Sequence, residues 1–99
     1  MSEVEEHFKK LIALKGVHAV MAMTSDGIVV RTTMEAATAV HYAAMYAPLV
    51  QESRMAATEL GGNRLKTIRL RTTKHEVIII PGARYSFLVL QQPDASFDH

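Results

Sequence analysis

The final third of the chain is the feature that most restricts how it can fold. It holds three apolar segments, around Ile68, at 77–80 and at 87–90, separated only by the short connections 72–75 and 81–83. Connections of this length suit antiparallel strands that are neighbours in one sheet. So much sheet in a short chain leaves little room for a catalytic pocket, which favours a protein that holds other chains.

Upstream, the pattern predicts a helix that begins at Ser2 and stops at Gly16. The Ser2 side chain can cap the backbone amide of Glu5, and the Glu5 side chain can reach back to Ser2. Acidic residues follow the start of the helix and lysines precede its end, so the charges complement the helix dipole. Val4 and Phe8 begin an apolar stripe at helical spacing, which should face a core.

A β-hairpin and a long second helix are predicted next. The segments 17–23 and 28–32 are rich in β-branched and apolar residues, and Ser25-Asp26-Gly27 between them supplies turn residues. The region from about 36 to 60 has no strand alternation and no glycine, which favours a helix. Pro48 lies inside it, where we expect a local bend in one continuous helix.

The second helix is apolar over most of its circumference. A stripe through Tyr42, Met45, Leu49 and Met55 is expected to cover the sheet, while further apolar residues occupy the remaining arc. A helix of this kind is buried on more than one side. In a domain of this size we expect the second cover to come from another subunit.

The strand around Ile68 alternates apolar and basic residues, as a half-buried strand does. At the edge of a sheet its open backbone groups would need to be blunted or paired, and a twin strand beneath two packed helices would pair them. The predicted dimer-interface residues lie on the second helix and on this strand: Val40, Ala43, Ala44, Ala47, Val50, Arg54, Ile68 and Arg69.

Length and charge narrow the class of protein. The 99 residues are predicted to form one domain, with an ordered core at about 2–93 and a short tail at 94–99. A net charge of +1, from 11 basic and 10 acidic residues, lacks the basic excess of a nucleic-acid-binding domain. The N-terminus is acidic where a secretory signal is basic, and no apolar run approaches the roughly 20 residues of a membrane span. We therefore expect a soluble intracellular protein with no nucleic-acid partner and no membrane insertion.

No residue pattern predicts catalytic, cofactor-binding or metal-binding chemistry. The chain has no cysteine, and no two of its five histidines have the spacing of ligands on one helix face. No serine lies in a G-x-S-x-G turn, and the glycines show no phosphate-binding spacing. The basic cluster at 64–74 is either a solvated strand face or a site for an acidic partner segment.

Three stretches of the chain together resemble one protein family. They are Lys15-Gly16-Val17 leading to Asp26-Gly27-Ile28, then 70–77 followed by Pro81, and finally 87–93. In this order and spacing they are similar to the roadblock-type dynein light chains, and the resemblance runs from about Ser2 to Pro93. Pro48 inside the second helix and the compact link at 59–63 depart from the family pattern, which is typical of a divergent paralogue.

The resemblance implies an α+β fold of order α-β-β-α-β-β-β, with a five-stranded antiparallel sheet and helices on its faces. It implies dimerisation into a ten-stranded sheet, either with an identical chain or with a sister roadblock light chain. It also implies no catalytic residues and no cofactor.

The partners that the resemblance implies are dynein intermediate chains, and through them the dynein heavy chain complex. The expected location is then the cytoplasm and cytoskeleton, including the axoneme of a cilium or flagellum. The alternative is a scaffold or regulator of small GTPases, since roadblock-like domains also perform that role. The motor hypothesis predicts an amphipathic helix as the ligand, whereas the regulator hypothesis predicts a globular surface that depends on the bound nucleotide.

Overall fold

Residues 2–92 fold into two helices and one five-stranded antiparallel sheet, in the predicted α-β-β-α-β-β-β order. This computed structural model describes residues 2–92, and the predicted tail at 94–99 lies outside the described residues. The elements are α1 (Ser2–Ile12), β1 (Val17–Thr24), β2 (Val29–Thr32), α2 (Ala36–Glu59), β3 (Ile68–Arg71), β4 (Glu76–Ile80) and β5 (Tyr85–Gln91).

The strand order β2-β1-β5-β4-β3 joins the predicted hairpin to the three C-terminal strands. The central contact is the antiparallel pair of β1 and β5, in which Met21 lies opposite Leu88. Gly27 has a φ of +86°, so the β1–β2 turn has the left-handed conformation that glycine adopts without strain. The prediction that β3 lies at an edge of the sheet is confirmed.

The two helices cover opposite faces of this sheet. Met21 and Met23 belong to the core beneath α2, together with residues of β4 and β5. Val20 and Ala22 are also fully buried, and alternation along the strand turns them toward α1, where Val4 and Phe8 are buried. The sheet is therefore the middle layer of three, and β1 is buried on both of its faces.

Helix α1 is shorter than the sequence pattern predicts. It ends at Ile12, and residues 13–16 form a turn that leads to Gly16, whose φ is +85°. The amide of Leu14 donates to the carbonyl of Leu11 rather than continuing the α-helical pattern. On the sheet side, Arg31 of β2 pairs with Glu5 at 2.8 Å and lies over the Phe8 ring at 5.1 Å, which anchors the helix to the sheet.

Helix α2 is continuous through Pro48, as predicted, but the face that it buries differs from the prediction. The buried residues are the small Ala39, Ala43 and Ala47 together with Val50. Met45 and Met55, which were expected to cover the sheet, are 57% and 62% exposed. The large core side chains come from the strands, and the small residues of α2 let the helix lie close to the sheet. At the β1–β2 turn, a Cβ built on Gly27 would be only 3.3 Å from the Ala47 Cβ.

Candidate interaction surfaces

The structure divides the predicted interface residues of α2 between two sides of the helix. Val40 and Ala44 are exposed to solvent. Ala43, Ala47 and Val50 are instead buried against the chain's own sheet. This corrects the assignment of those three residues as contact residues, because a side chain that fills its own core has no free surface to offer a partner.

The other predicted interface residues lie near the C-terminal end of α2 and on β3. Arg54 is half-buried, and its guanidinium donates to the carbonyl of Gly82 at 2.5 Å. Ile68 packs against the core beneath α2. Arg69 is exposed on the other face of β3, with its guanidinium 3.8 Å from the Glu76 carboxylate. Of the eight predicted residues, Val40, Ala44 and Arg69 are thus the exposed ones.

An exposed apolar surface runs along the outside of α2, and we call it the outer face of α2. Its spacing of four and seven residues places most of its members on one side of the helix. Only three of the 24 residues of α2 are acidic or basic at neutral pH, so little charge solvates this side. A contiguous exposed apolar surface of this kind is typical of a protein interface. The outer face consists of Val40, Ala44, Met45, Pro48 and Met55.

The edge strand β3 supplies a second unpaired feature. Its four residues pair with β4 on one side only, and no strand among residues 2–92 covers the other side. Leu70 is 38% exposed at this edge. An open edge with exposed apolar residues is suited to pairing with another chain.

A groove on the opposite face of the sheet lies beside α1, and we call it the α1 groove. A helix is about 10 Å wide and strands lie about 4.8 Å apart, so α1 covers roughly two strands and leaves β4 and β3 bare. Two adjoining cavities of about 570 and 350 Å³ share Leu11 and Ile80 in their walls. Ile78 and Val89 line the larger one, and Lys10 stands beside the smaller one. The sequence analysis missed this groove.

The α1 groove has polar side chains at one end. Gln91 lines the larger cavity, and its amide donates to the Glu76 carboxylate at 2.9 Å. Arg69 lines the same cavity and lies on the other side of Glu76. The buried carboxylate therefore has both a hydrogen-bond donor and a positive charge next to it. These contacts hold Arg69 beside the groove.

The titratable side chains of residues 2–92 offer no candidate metal site. No grouping of three or more His, Asp and Glu side chains suited to a metal ion occurs in this part of the chain. Within the same residues, no helix is long and apolar enough to cross a bilayer. Tyr42 and Tyr46 stack on α2 with ring centroids 5.8 Å apart. Burial raises the pKa of Tyr46 above 10.0, and the neighbouring Tyr42 adds to the increase.

The raised pKa of Tyr46 predicts a loss of stability at alkaline pH. The unfolded chain ionises this tyrosine near pH 10, before the folded chain does, so rising pH favours unfolding. The stabilising contribution is complete below the unfolded pKa and is lost as the pH rises through the folded pKa. Tyr46→Phe should flatten the decline of the urea midpoint between about pH 9 and pH 11, relative to Tyr85→Phe as control. If the urea midpoints of the two variants fell in parallel with rising pH, the link between Tyr46 and the alkaline loss of stability would be contradicted.

Comparison with known proteins places this geometry in a family. Residues 3–92 match the family model described as the Roadblock/LC7 domain. A Roadblock/LC7 domain structure from Streptomyces avermitilis has a TM-score of 0.77 and 19% identity, over 87% of this chain and 76% of that one. The gliding protein MglB of Thermus thermophilus has a TM-score of 0.76 and 11% identity, over 92% and 72%. A structure described as MglB with a tetrameric arrangement has a TM-score of 0.76 and 11% identity, over 92% of this chain and 71% of that one. At these identities the likeness to solved structures concerns the fold.

Proposed function

The chain belongs to the Roadblock/LC7 domain family, and we propose that it is a non-catalytic protein that self-associates and regulates or scaffolds a small GTPase. The observation that carries the proposal is the outer face of α2, an exposed apolar surface on a helix with few charges. An exposed apolar surface of this kind suits a protein partner, in the first place a second copy of the chain, better than a small substrate.

The family of the chain and the proposed dimer both support a role in regulating a small GTPase. Roadblock-like domains include scaffolds and activators of small GTPases, and the solved structures that share this fold include the bacterial gliding protein MglB. The dimer that we propose pairs the outer face of α2 and the edge of β3 with those of a second copy. Two adjacent helices then offer one broad surface to the partner.

Regulation requires that the surface distinguish the nucleotide states of the GTPase. Small GTPases differ between these states in the order of their switch segments. A binding protein shifts that equilibrium only by the difference between its affinities for the two states. The proposed activity is therefore a difference in affinity, and no side chain of this chain needs to take part in chemistry.

The test uses purified small GTPases from the source organism, loaded with GDP or with a non-hydrolysable GTP analogue. Calorimetric titration should give affinities for one GTPase that differ at least tenfold between the two states, which is about 1.4 kcal/mol. Val40→Glu should weaken the preferred complex because it should dissociate the dimer that builds the GTPase surface, whereas Lys9→Glu on the exposed side of α1 should not. Equal affinities in both states, or no binding to any of the GTPases, would refute the regulator function.

The α1 groove favours a second candidate, the dynein light chain function. A long apolar groove with basic side chains beside it suits an amphipathic helix with acidic flanks, which is the ligand that the motor hypothesis requires. A dynein intermediate-chain peptide should then bind the purified chain, and Ile80→Glu in the groove should abolish binding while Val30→Glu on β2 leaves it intact. Absence of peptide binding to the wild-type chain would remove this candidate.

A further inference from the structure

A polar cleft lies where the C-terminal end of α2 meets the turn between β4 and β5, and we call it the arginine cleft. Its volume is about 380 Å³, and it borders the smaller cavity of the α1 groove, with which it shares Pro81 and Gly82. Arg54 and Arg64 both line it, together with the Thr58 hydroxyl and the Asn63 amide. Every one of these four side chains can donate hydrogen bonds into the cleft.

The two arginines place positive charge at a cleft whose own lining includes neither aspartate nor glutamate. The carboxylate of Glu59 lies with Arg54 at a neighbouring cavity. The ion pairs formed within residues 2–92 join Arg31 to Glu5 and Arg69 to Glu76, and neither involves an arginine of the cleft. Two like charges facing one cavity repel each other, so an anion placed between them would be stabilised.

The position of Arg54 is fixed by the fold. Its guanidinium donates to the Gly82 carbonyl at 2.5 Å, a contact that joins α2 to the β4–β5 turn. An arginine has five N–H donors, so most of them stay available for a ligand. A positioned guanidinium loses less conformational freedom on binding than a mobile one does.

The C-terminal end of α2 repels a bound anion less than most helix C-termini do. Exposed carbonyl groups give a helix C-terminus a partial negative charge. Here the amides of Leu60, Gly62 and Asn63 donate to the carbonyls of Ala56, Thr58 and Ala57. The carbonyls closest to the cleft are therefore already occupied by hydrogen bonds.

We infer that the arginine cleft binds a phosphate monoester. A phosphate monoester carries about two negative charges at neutral pH, which matches two guanidinium groups, whereas a single carboxylate would neutralise only one of them. Its oxygens accept paired hydrogen bonds from guanidinium forks and leave acceptor sites for the hydroxyl of Thr58 and the amide of Asn63. The inference stands on this cleft alone and does not depend on the proposed function.

The test is a titration of the ¹⁵N-labelled chain with phenyl phosphate, followed by NMR. We expect saturable shifts at Thr58, Asn63 and Gly82 and at the side chain of Arg64. Arg64→Gln should weaken binding at least tenfold. Because Arg64 is exposed, this substitution should leave the fold intact. Lys9→Gln, which removes one exposed positive charge from α1, away from the cleft, is the control and should bind like the wild type.

A second titration identifies the source of the phosphate group. Phenyl phosphate represents a free small-molecule phosphate ester, and a short phosphoserine peptide represents a phosphorylated protein segment. Saturable binding of either probe supports the inference that the cleft binds a phosphate monoester. Equal shifts with acetate at the same ionic strength would show nonspecific attraction and overturn the inference. Shifts that do not saturate, or equal losses of affinity in Arg64→Gln and Lys9→Gln, would also overturn it.

Discussion

Replacing Ala47 with glutamate is expected to unfold the chain. Ala47 is 6% exposed and faces the β1–β2 turn, where a Cβ built on Gly27 would lie 3.3 Å from the Ala47 Cβ. A glutamate side chain would have to push this turn away and place a carboxylate among apolar core residues. The cost should be about 3 kcal/mol or more, a large part of the 5–15 kcal/mol that is typical of a domain.

Ala44→Glu is the matched control for this prediction. It introduces the same side chain one turn earlier in α2, but at an exposed position. Urea unfolding followed by far-UV circular dichroism should show a midpoint close to that of the wild-type monomer for Ala44→Glu. Ala47→Glu should have no folded baseline, or a much lower midpoint. Similar midpoints for the two variants would contradict the assignment of Ala47 to the core.

The reversed faces of α2 show where sequence reasoning failed. The prediction placed the large residues Tyr42, Met45, Leu49 and Met55 against the sheet, because large apolar side chains are usually buried. In the structure, Met21, Met23 and Leu88 fill the space beneath the helix from the sheet side. Volume that the strands have already filled leaves room directly beneath the helix only for small residues, so Met45 and Met55 are exposed, whereas Tyr42 packs against the core as predicted.

Other parts of the fold were predictable because their causes are local. The turn at Gly27 and the short connections of the last three strands depend on residues that are close in the chain. These signals predicted the number of strands. The order of the sheet depends on the pairing of β1 with β5, which joins distant segments, and only the family resemblance implied the complete sheet.

The two clefts were not predictable because they depend on distant pairs of segments. The α1 groove exists because α1 is too narrow to cover β4, although the apolar run at 77–80 could have signalled that both faces of this strand need cover. The arginine cleft depends on the contact of Arg54 with Gly82, 28 residues away. Arg54 had been predicted as a dimer contact, because spacing along a helix does not show which loop approaches it.

The second large effect concerns self-association. We expect the wild-type chain to form dimers through the outer face of α2 and the edge of β3, and we expect Val40→Glu to dissociate them. Val40 is 60% exposed in the single chain, so the substitution should not disturb the monomer. In the dimer it would place an unpaired carboxylate in an apolar contact, where an uncompensated charge is strongly unfavourable. The dissociation constant should rise about 100-fold or more, which corresponds to about 2.7 kcal/mol.

Sedimentation velocity over a range of concentrations measures this change directly. Val40→Leu keeps an apolar side chain at the same position and should retain the dimer, while Lys9→Glu places the same new charge on the exposed side of α1 and should also retain it. The pair of controls separates loss of apolar contact from a general effect of added negative charge. A wild-type chain that remains monomeric at high concentration, or a Val40→Glu variant with an unchanged dimer mass, would exclude the outer face as the contact. Since the proposed GTPase surface is built from two adjacent α2 helices, that result would also remove its structural basis.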